Sequence, residues 1–237
     1  MLNQQSTIFI SGASDGIGKA MALEIARRTP CKLALCGRNE EKLKNVLKEI
    51  NTINPDVKVV MAAFDASDIE ACEQFADHVL NELGHIDILV NNAGANTKKA
   101  KVEEIDIKDL QYMFNLNCVA HLAFIQKFLP KMKENKEGYI MNILSSCCLF
   151  NNPTMAAYTA TKNAMEAISK ILVKEVKDDN IKVSSIYPGG VDTNFRAIDR
   201  PDYLDVNKLA KVFVDTMELE DGVIHDFVIR PMVESNF

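Results

Sequence analysis

A phenol and an ammonium group stand four residues apart in Tyr158-Thr159-Ala160-Thr161-Lys162. On a helix that spacing puts both on one face, a turn apart. A cation so near lowers a phenol's pKa from its ordinary value of about 10. Such a phenol can protonate an oxygen that is taking up negative charge. The pair alone is weak, because tyrosines and lysines at this spacing are common on helices for structural reasons. A second constellation lies near the N-terminus, in Ser11-Gly12-Ala13-Ser14-Asp15-Gly16-Ile17-Gly18. Glycines at 12, 16 and 18 suit a tight turn, a close backbone approach to a pyrophosphate, and a helix packed against a strand. The N–H groups at the start of the following helix would face the phosphates. A Walker A loop is excluded, since Gly18-Lys19 is followed by Ala20 and no glycine sits five positions before Gly18.

These residues need elements to hold them, and the chain alternates strand-like and helix-like stretches. Short runs rich in Val, Ile, Leu and Ala occur at Thr7–Ser11, Lys32–Cys36, Val57–Phe64, Ile86–Asn91, Gly138–Ser145, Ile181–Tyr187 and Val223–Ile229. Amphipathic stretches lie between them at Gly16–Arg28, Glu40–Asn51, Ile69–Leu83, Ile107–Lys133 and Met155–Lys177, with a further helix near Val206. Nearly continuous apolar strands want burial on both faces, as in a parallel sheet covered by crossover helices. Right-handed crossovers then give an α/β, doubly wound, mostly parallel seven-stranded sheet, with its ligand crevice beyond the strands' carboxyl ends. Seven strands account for the whole chain, 1–237, as a single domain.

Composition narrows the function classes. With 47% hydrophobic and 25% charged residues the chain matches globular averages. No apolar run approaches the roughly 18 residues of a membrane span. A net charge of −6 gives no electrostatic reason to bind nucleic acid or anionic lipid. The start, Met1-Leu2-Asn3-Gln4-Gln5-Ser6-Thr7, lacks the pattern of a signal peptide, so a cytoplasmic location is expected. The six cysteines (Cys31, Cys36, Cys72, Cys118, Cys147, Cys148) include no CxxC spacing and suit neither zinc nor a redox dithiol, so they read as reduced packing residues and no metal is expected. None of His78, His85, His121 and His225 falls in a motif. Lys98, Lys99 and Lys101 read as part of a solvated loop.

Taken together, five motifs in order resemble the short-chain dehydrogenase/reductase family, and the resemblance covers essentially the whole chain. They are the glycine turn at 11–18, Asn91-Asn92-Ala93-Gly94 after the fourth strand, Asn117 in the next helix, Ser145 with Tyr158 and Lys162, and Pro188-Gly189-Gly190-Val191-Asp192-Thr193 after the sixth strand. The resemblance implies a Rossmann fold and a reversible hydride transfer between a nicotinamide cofactor and a small carbonyl compound. Tyr158 would be the general acid, and Lys162 would depress its pKa and bind the nicotinamide ribose. Ser145, thirteen residues before Tyr158 as in the family, would hold the substrate oxygen, with Ser146 as the alternative. Asn117 would bend its helix and support a proton relay, in preference to Asn115. Gly12, Ser14, Asp15, Gly16, Ile17, Gly18, Asn91, Ala93 and Gly94 would frame the cofactor. Asp65 and Ala66 would meet the adenine, and Pro188, Gly189, Val191 and Thr193 the nicotinamide.

Cofactor type is decided at the end of the second strand, where an acid would bind the ribose 2′-hydroxyl and repel a 2′-phosphate. The chain reads Leu35-Cys36-Gly37-Arg38-Asn39 there, and Arg38 could clasp a phosphate in a bidentate way. NADP(H) is therefore expected rather than NAD(H), although Asp15 stands where many NADP-preferring relatives carry a basic residue. The resemblance places the substrate among Cys147, Phe150, Met155, Phe195 and Tyr203, under a short lid at about 194–206 in which Arg196 and Arg200 could meet an anion. The chain lacks the terminal Gly-Gly of the family's acyl-carrier-protein reductases, ending instead in Val228-Ile229-Arg230-Pro231-Met232. An NADPH-dependent carbonyl reductase is thus the expected function. A 3-oxoacyl reductase and a cofactor-binding redox sensor are the alternatives, and sensors of this family usually lack the tyrosine or lysine kept here. Family members commonly form homodimers or homotetramers, and Ala156, Ala157, Ala160, Ala164 and Ala167 would permit close helix approach.

Overall fold

A computed structural model describes residues 2–195 and 200–234. Seven strands form one sheet: β1 (Thr7–Ser11), β2 (Lys32–Gly37), β3 (Lys58–Ala63), β4 (Ile88–Asn91), β5 (Gly138–Ile143), β6 (Ile181–Pro188) and, after a short pair, β9 (Asp226–Ile229). Their spatial order is β3-β2-β1-β4-β5-β6-β9, and every pairing is parallel. The short pair is β7 (Val191–Asp192) with β8 (Leu204–Asp205), also parallel. Among the described residues seven α-helices cover the sheet: α1 (Gly16–Arg28), α2 (Glu40–Ile53), α3 (Ile69–Leu83), α4 (Ile107–Phe114), α5 (Ala120–Asn135), α6 (Ala156–Glu175) and α7 (Val206–Met217). The doubly wound single-domain Rossmann fold expected from the sequence is the fold observed.

Alternation along each strand sends neighbouring side chains to opposite faces. Ile8 and Ile10 enter a core with Leu33, Leu35, Met21, Ile25 and Phe213, on the side covered by α1, α2 and α7. Phe9 between them joins Phe75, Phe124, Phe128 and Met165, on the side covered by α3, α5 and α6. β1, β4 and β5 are buried along their whole length, which is why they carry the apolar runs Ile8-Phe9-Ile10, Ile88-Leu89-Val90 and Tyr139-Ile140-Met141. Helix starts follow from capping acids and amides: Asn39 accepts from Lys42 N, Asp68 from Ala71 N, and Asp205 from Asn207 N and Lys208 N.

One helix differs from expectation. The stretch Ile107–Lys133 is not a single α-helix, because a π turn at Asn115–Val119 separates α4 from α5. The inserted residue rotates Asn117 inward, where its amide exchanges two hydrogen bonds with the Ala95 backbone (2.9 and 3.0 Å) and donates to Thr161 Oγ1 at 2.9 Å. Among the described residues no helix is long and apolar enough to cross a membrane. All six cysteines are free thiols, and all but the half-buried Cys148 are buried.

Candidate active site

The chain leaves β1 and β4 in opposite directions across the sheet, so the loops beyond these adjacent strands part and open a crevice. A cleft of about 1160 Å³ occupies it. Gly12 and Gly16 have φ of +68° and +53°, the left-handed region that favours glycine. A Cβ on Gly12 would lie 2.9 Å from Ala93 Cα, and one on Gly18 would press on the Gly12 carbonyl oxygen and lie 2.6 Å from Asn92 Nδ2. The turn and the loop after β4 are therefore one packed unit. Asn92 Nδ2 donates to Ser11 O (2.9 Å) and Gly12 O (3.2 Å), while the Asn92 and Ala93 amides donate to Ser11 Oγ.

Asn91, expected at the cofactor, is fully buried below the cleft and donates to Asn142 Oδ1 at 2.9 Å, opposite it in the β4–β5 ladder. Asn92 lines the cleft instead, because side chains alternate along a strand and its exit. Ala93 and Gly94 also line it, as do Ser14, Asp15, Gly16 and Ile17, whereas Gly18 only packs the helix on the turn. Asp15 caps α1 by accepting from Gly16 N at 2.8 Å, pairs with Lys42, and accepts from Asn194 Nδ2 at 3.1 Å. Burial would raise its pKa, but these hydrogen bonds prevail and hold the carboxyl below its usual range.

At the end of β2, a Cβ on Gly37 would lie 2.7 Å from Ser14 Oγ, so a side chain there would have to displace Ser14. Arg38 and Lys42 line this end of the cleft. Arg38 Nη1 donates to Tyr112 OH at 3.1 Å, and Tyr112 OH donates to Asp65 Oδ2 at 2.9 Å. Asp65 thus turns away from the cleft, which its neighbours Phe64 and Ala66 line in its place. Its burial would raise its pKa, but hydrogen bonds from Ser67 and Tyr112, with the charge of Arg38, lower it. Tyr112 and Lys42 escaped the sequence analysis. Tyr112 lies on another helix far along the chain, and no local pattern marks either residue.

The opposite end of the cleft is built by α6 and β5. Tyr158 and Lys162 both line the cleft, with Lys162 Nζ 6.0 Å from the Tyr158 ring centroid and donating to Ile143 O at 2.9 Å. Burial pushes the Lys162 pKa down to about 8, against the pull of Cys147, Cys148 and Cys118. Gly94 leaves room for this group, since a Cβ there would sit 3.0 Å from Asn117 Oδ1 and 3.3 Å from Lys162 Nζ. Ser145 lines the cleft at the end of β5, its Oγ accepting from Cys147 N at 3.3 Å. Asn117 lies behind Lys162, outside the lining. His121 is fully buried, with Nε2 2.8 Å from Ala93 O. Burial and the nearby Lys162 push its pKa down to about 3, so the ring is neutral and its Nε2–H donates to that carbonyl.

The expected substrate wall is partly rearranged. Met155 and Phe195 line the cleft, with the Phe195 ring 6.3 Å from that of Tyr158, as do Pro188, Gly189, Val191 and Thr193. Cys147 does not, because the turn after Ser145 tucks it into a cluster with Met113, Ala157 and Tyr158. Phe150 does not either, being covered by the Arg230 guanidinium 4.2 Å from its ring. Arg200 lines the cleft but pairs with Asp202 at 2.8 Å and lies over the Tyr203 ring. Residues 196–199 of the expected lid, Arg196 among them, lie outside the described residues. Lys98 and Lys99 depart from expectation in the other direction: both line the cleft rather than belonging to a purely solvated loop.

The short chain dehydrogenase family model matches residues 6–203 of the chain. The chain belongs to the short-chain dehydrogenase/reductase family of oxidoreductases. Among curated members it is 33% identical over 190 residues to an uncharacterised oxidoreductase of Staphylococcus epidermidis, covering 80% of each chain. It is 31% identical over 192 residues to the NADP-dependent 3-hydroxy acid dehydrogenase of Schizosaccharomyces pombe, covering 81% of this chain and 74% of that one. Among solved structures it is similar to a metagenomic short-chain oxidoreductase in complex with NADP, with a TM-score of 0.85 and 26% identity over 98% of this chain and 99% of the other.

Proposed function

We propose that the protein is an NADP(H)-dependent reductase of small carbonyl compounds, acting in reverse as an alcohol dehydrogenase. The observation that carries this reading is the sharing of one cleft by the glycine turn, by Arg38 and Lys42 at one end, and by Tyr158, Lys162 and Ser145 at the other. The residues fit a dinucleotide phosphate. The side-chain-free surface at Gly12, Gly16 and Gly37 leaves space for a pyrophosphate and a ribose, and the N-terminus of α1 points its N–H groups there. An acid at position 37 would repel a 2′-phosphate; glycine there and two cations beside it favour one. The relatives named for NADP support the same choice.

The bound nicotinamide would supply the hydride, and the chain's residues do the rest. Ser145 Oγ and Tyr158 OH hold the carbonyl oxygen, which fixes the carbon against the cofactor. Tyr158 donates its proton to that oxygen as charge develops on it. Lys162, its charge kept away from water, favours ionised Tyr158 and so eases the transfer. Asn117 acts as a positioning residue, since it ties the loop after β4 to α6 through Ala95 and Thr161. Phe195 and Met155 supply apolar surface to the cleft beside Tyr158.

The test is oxidation of NADPH and of NADH, followed by loss of reduced-nicotinamide absorbance, against aldehydes, ketones and 3-oxo esters. Turnover with NADPH that falls by about a hundredfold or more in Tyr158→Phe, with cofactor affinity retained, is the expected result. Full activity in that variant would overturn the assignment.

A further inference from the structure

Each charged side chain that lines the cleft has an assignable task except two. Asp15 and Lys42 pair with each other, Arg38 is held by Tyr112 at the adenosine end, and Lys162 sits beside Tyr158. Arg200 is neutralised by Asp202. Lys98 and Lys99 remain, both exposed, and neither makes an ion pair with any described residue. Acids outnumber bases by 33 to 27 in this chain, yet no described carboxylate lines the cleft on their side.

Their position is built rather than incidental. The loop from Asn92 to Lys101 is pinned at Ala95 by both hydrogen bonds to Asn117, and at Ala100, whose N–H donates to Thr154 O at 3.1 Å. Between the pins, Asn96 reaches Met155 Sδ at 3.3 Å. Thr154 holds a φ of +67°, a left-handed conformation costly for a β-branched residue, while presenting its carbonyl to Ala100. Thr154 and Met155 immediately precede α6, whose first turn carries Tyr158. The loop that carries Lys98 and Lys99 is therefore tied to the residues leading into Tyr158, and both lysines line the cleft that Tyr158 and Met155 also line.

From this arrangement we propose that Lys98 and Lys99 form an anion subsite, so that the substrate is a small oxo compound with a short apolar body and a carboxylate or phosphate at its far end. The carbonyl part of this assignment rests on the reading under Proposed function; the anion subsite does not. A neutral carbonyl compound would make no use of the two unpaired lysines that line the cleft, whereas an oxo acid would engage both them and the Tyr158 end. Because the lysines are exposed, the attraction is modest and screened by salt.

The enzyme saturated with NADPH is titrated calorimetrically with butanoate, butanamide and a short alkyl phosphate, none of which can be reduced. In parallel, turnover of a 3-oxo acid and of its amide is compared. The expected result is about fivefold tighter binding of an anion than of the amide, weakening with added salt. That preference disappears in the double variant Lys98→Gln/Lys99→Gln and survives in Lys98→Arg/Lys99→Arg. The stronger of the two anions identifies the headgroup. Equal binding of butanamide, no binding of either anion, or a preference that persists in the glutamine variant would overturn the proposal. Anion binding without turnover of either oxo compound would keep the subsite and overturn carbonyl reduction instead.

Discussion

Lys162 carries its charge at a thermodynamic cost, and replacing it exposes that cost. Burial lowers its pKa from the ordinary lysine value of 10.5 to about 8 in the folded protein. At pH 7 both the folded and the unfolded chain hold the proton, so the full penalty is present, about 3 kcal/mol at 1.36 kcal/mol per pKa unit. Between pH 8 and 10.5 the unfolded chain holds a proton that the folded chain has lost, so this group's contribution to stability improves as pH rises. Methionine has similar length and no charge. Lys162→Met forfeits the buried, charge-assisted hydrogen bond to Ile143 O, about 2 kcal/mol, and gains the rest. The variant is expected to be about 1 kcal/mol more stable at pH 7, raising Tm by roughly 2–4 °C for a chain of this size. The gain shrinks above pH 8, vanishes near pH 9 and turns into a loss above it, because the penalty fades while the lost hydrogen bond remains. Thermal unfolding of both cofactor-free proteins from pH 6 to 10 measures the difference directly, which cancels the buried thiols common to both. A variant that is less stable at pH 7, or a difference that does not change with pH, would refute the argument. Turnover would be lost throughout, as expected where a group is kept for function at the expense of stability.

Other consequences follow from single contacts. Arg38→Ala should raise KM for NADPH by about tenfold or more, the worth of a charge-assisted hydrogen bond, while leaving KM for NADH nearly unchanged in the same assay. Gly18→Ala drives a Cβ against the Gly12 carbonyl and the Asn92 amide, where backbone cannot yield. Its loss of stability is expected at about 1–3 kcal/mol, visible in denaturant melts together with weakened NADPH binding. Thr154→Asn keeps a polar side chain at an exposed position and tolerates φ > 0, so it should stabilise the protein by about 1 kcal/mol in the same melts.

The amino-acid sequence by itself determined the layers and the two ends of the cleft. Apolar runs such as Ile8–Ile10 and Ile88–Val90 report burial on both faces. Gly12, Gly16 and Gly18 report a tight turn, through left-handed backbone at Gly12 and Gly16 and close packing at Gly12 and Gly18, and Tyr158 with Lys162 reports a helix face. All of these depend on short-range geometry that a few adjacent residues encode. Tertiary structure alone decided which neighbours meet. Asn91 faces Asn142 and leaves the cleft to Asn92, because the β4–β5 register fixes the phase of the strand. Tyr112 holds Arg38 across 74 positions, a contact created only when α4 packs beside the crossover from β2. Asn117 opens a π turn because its amide finds Ala95 and Thr161, partners from two other segments. Lys98 and Lys99 look like ordinary surface charge until the hydrogen bonds at Ala95 and Ala100 draw their loop over the cleft. Periodicity and residue type reveal what each element is; the path of the backbone through space sets the partners, and those hydrogen bonds form only in the folded chain.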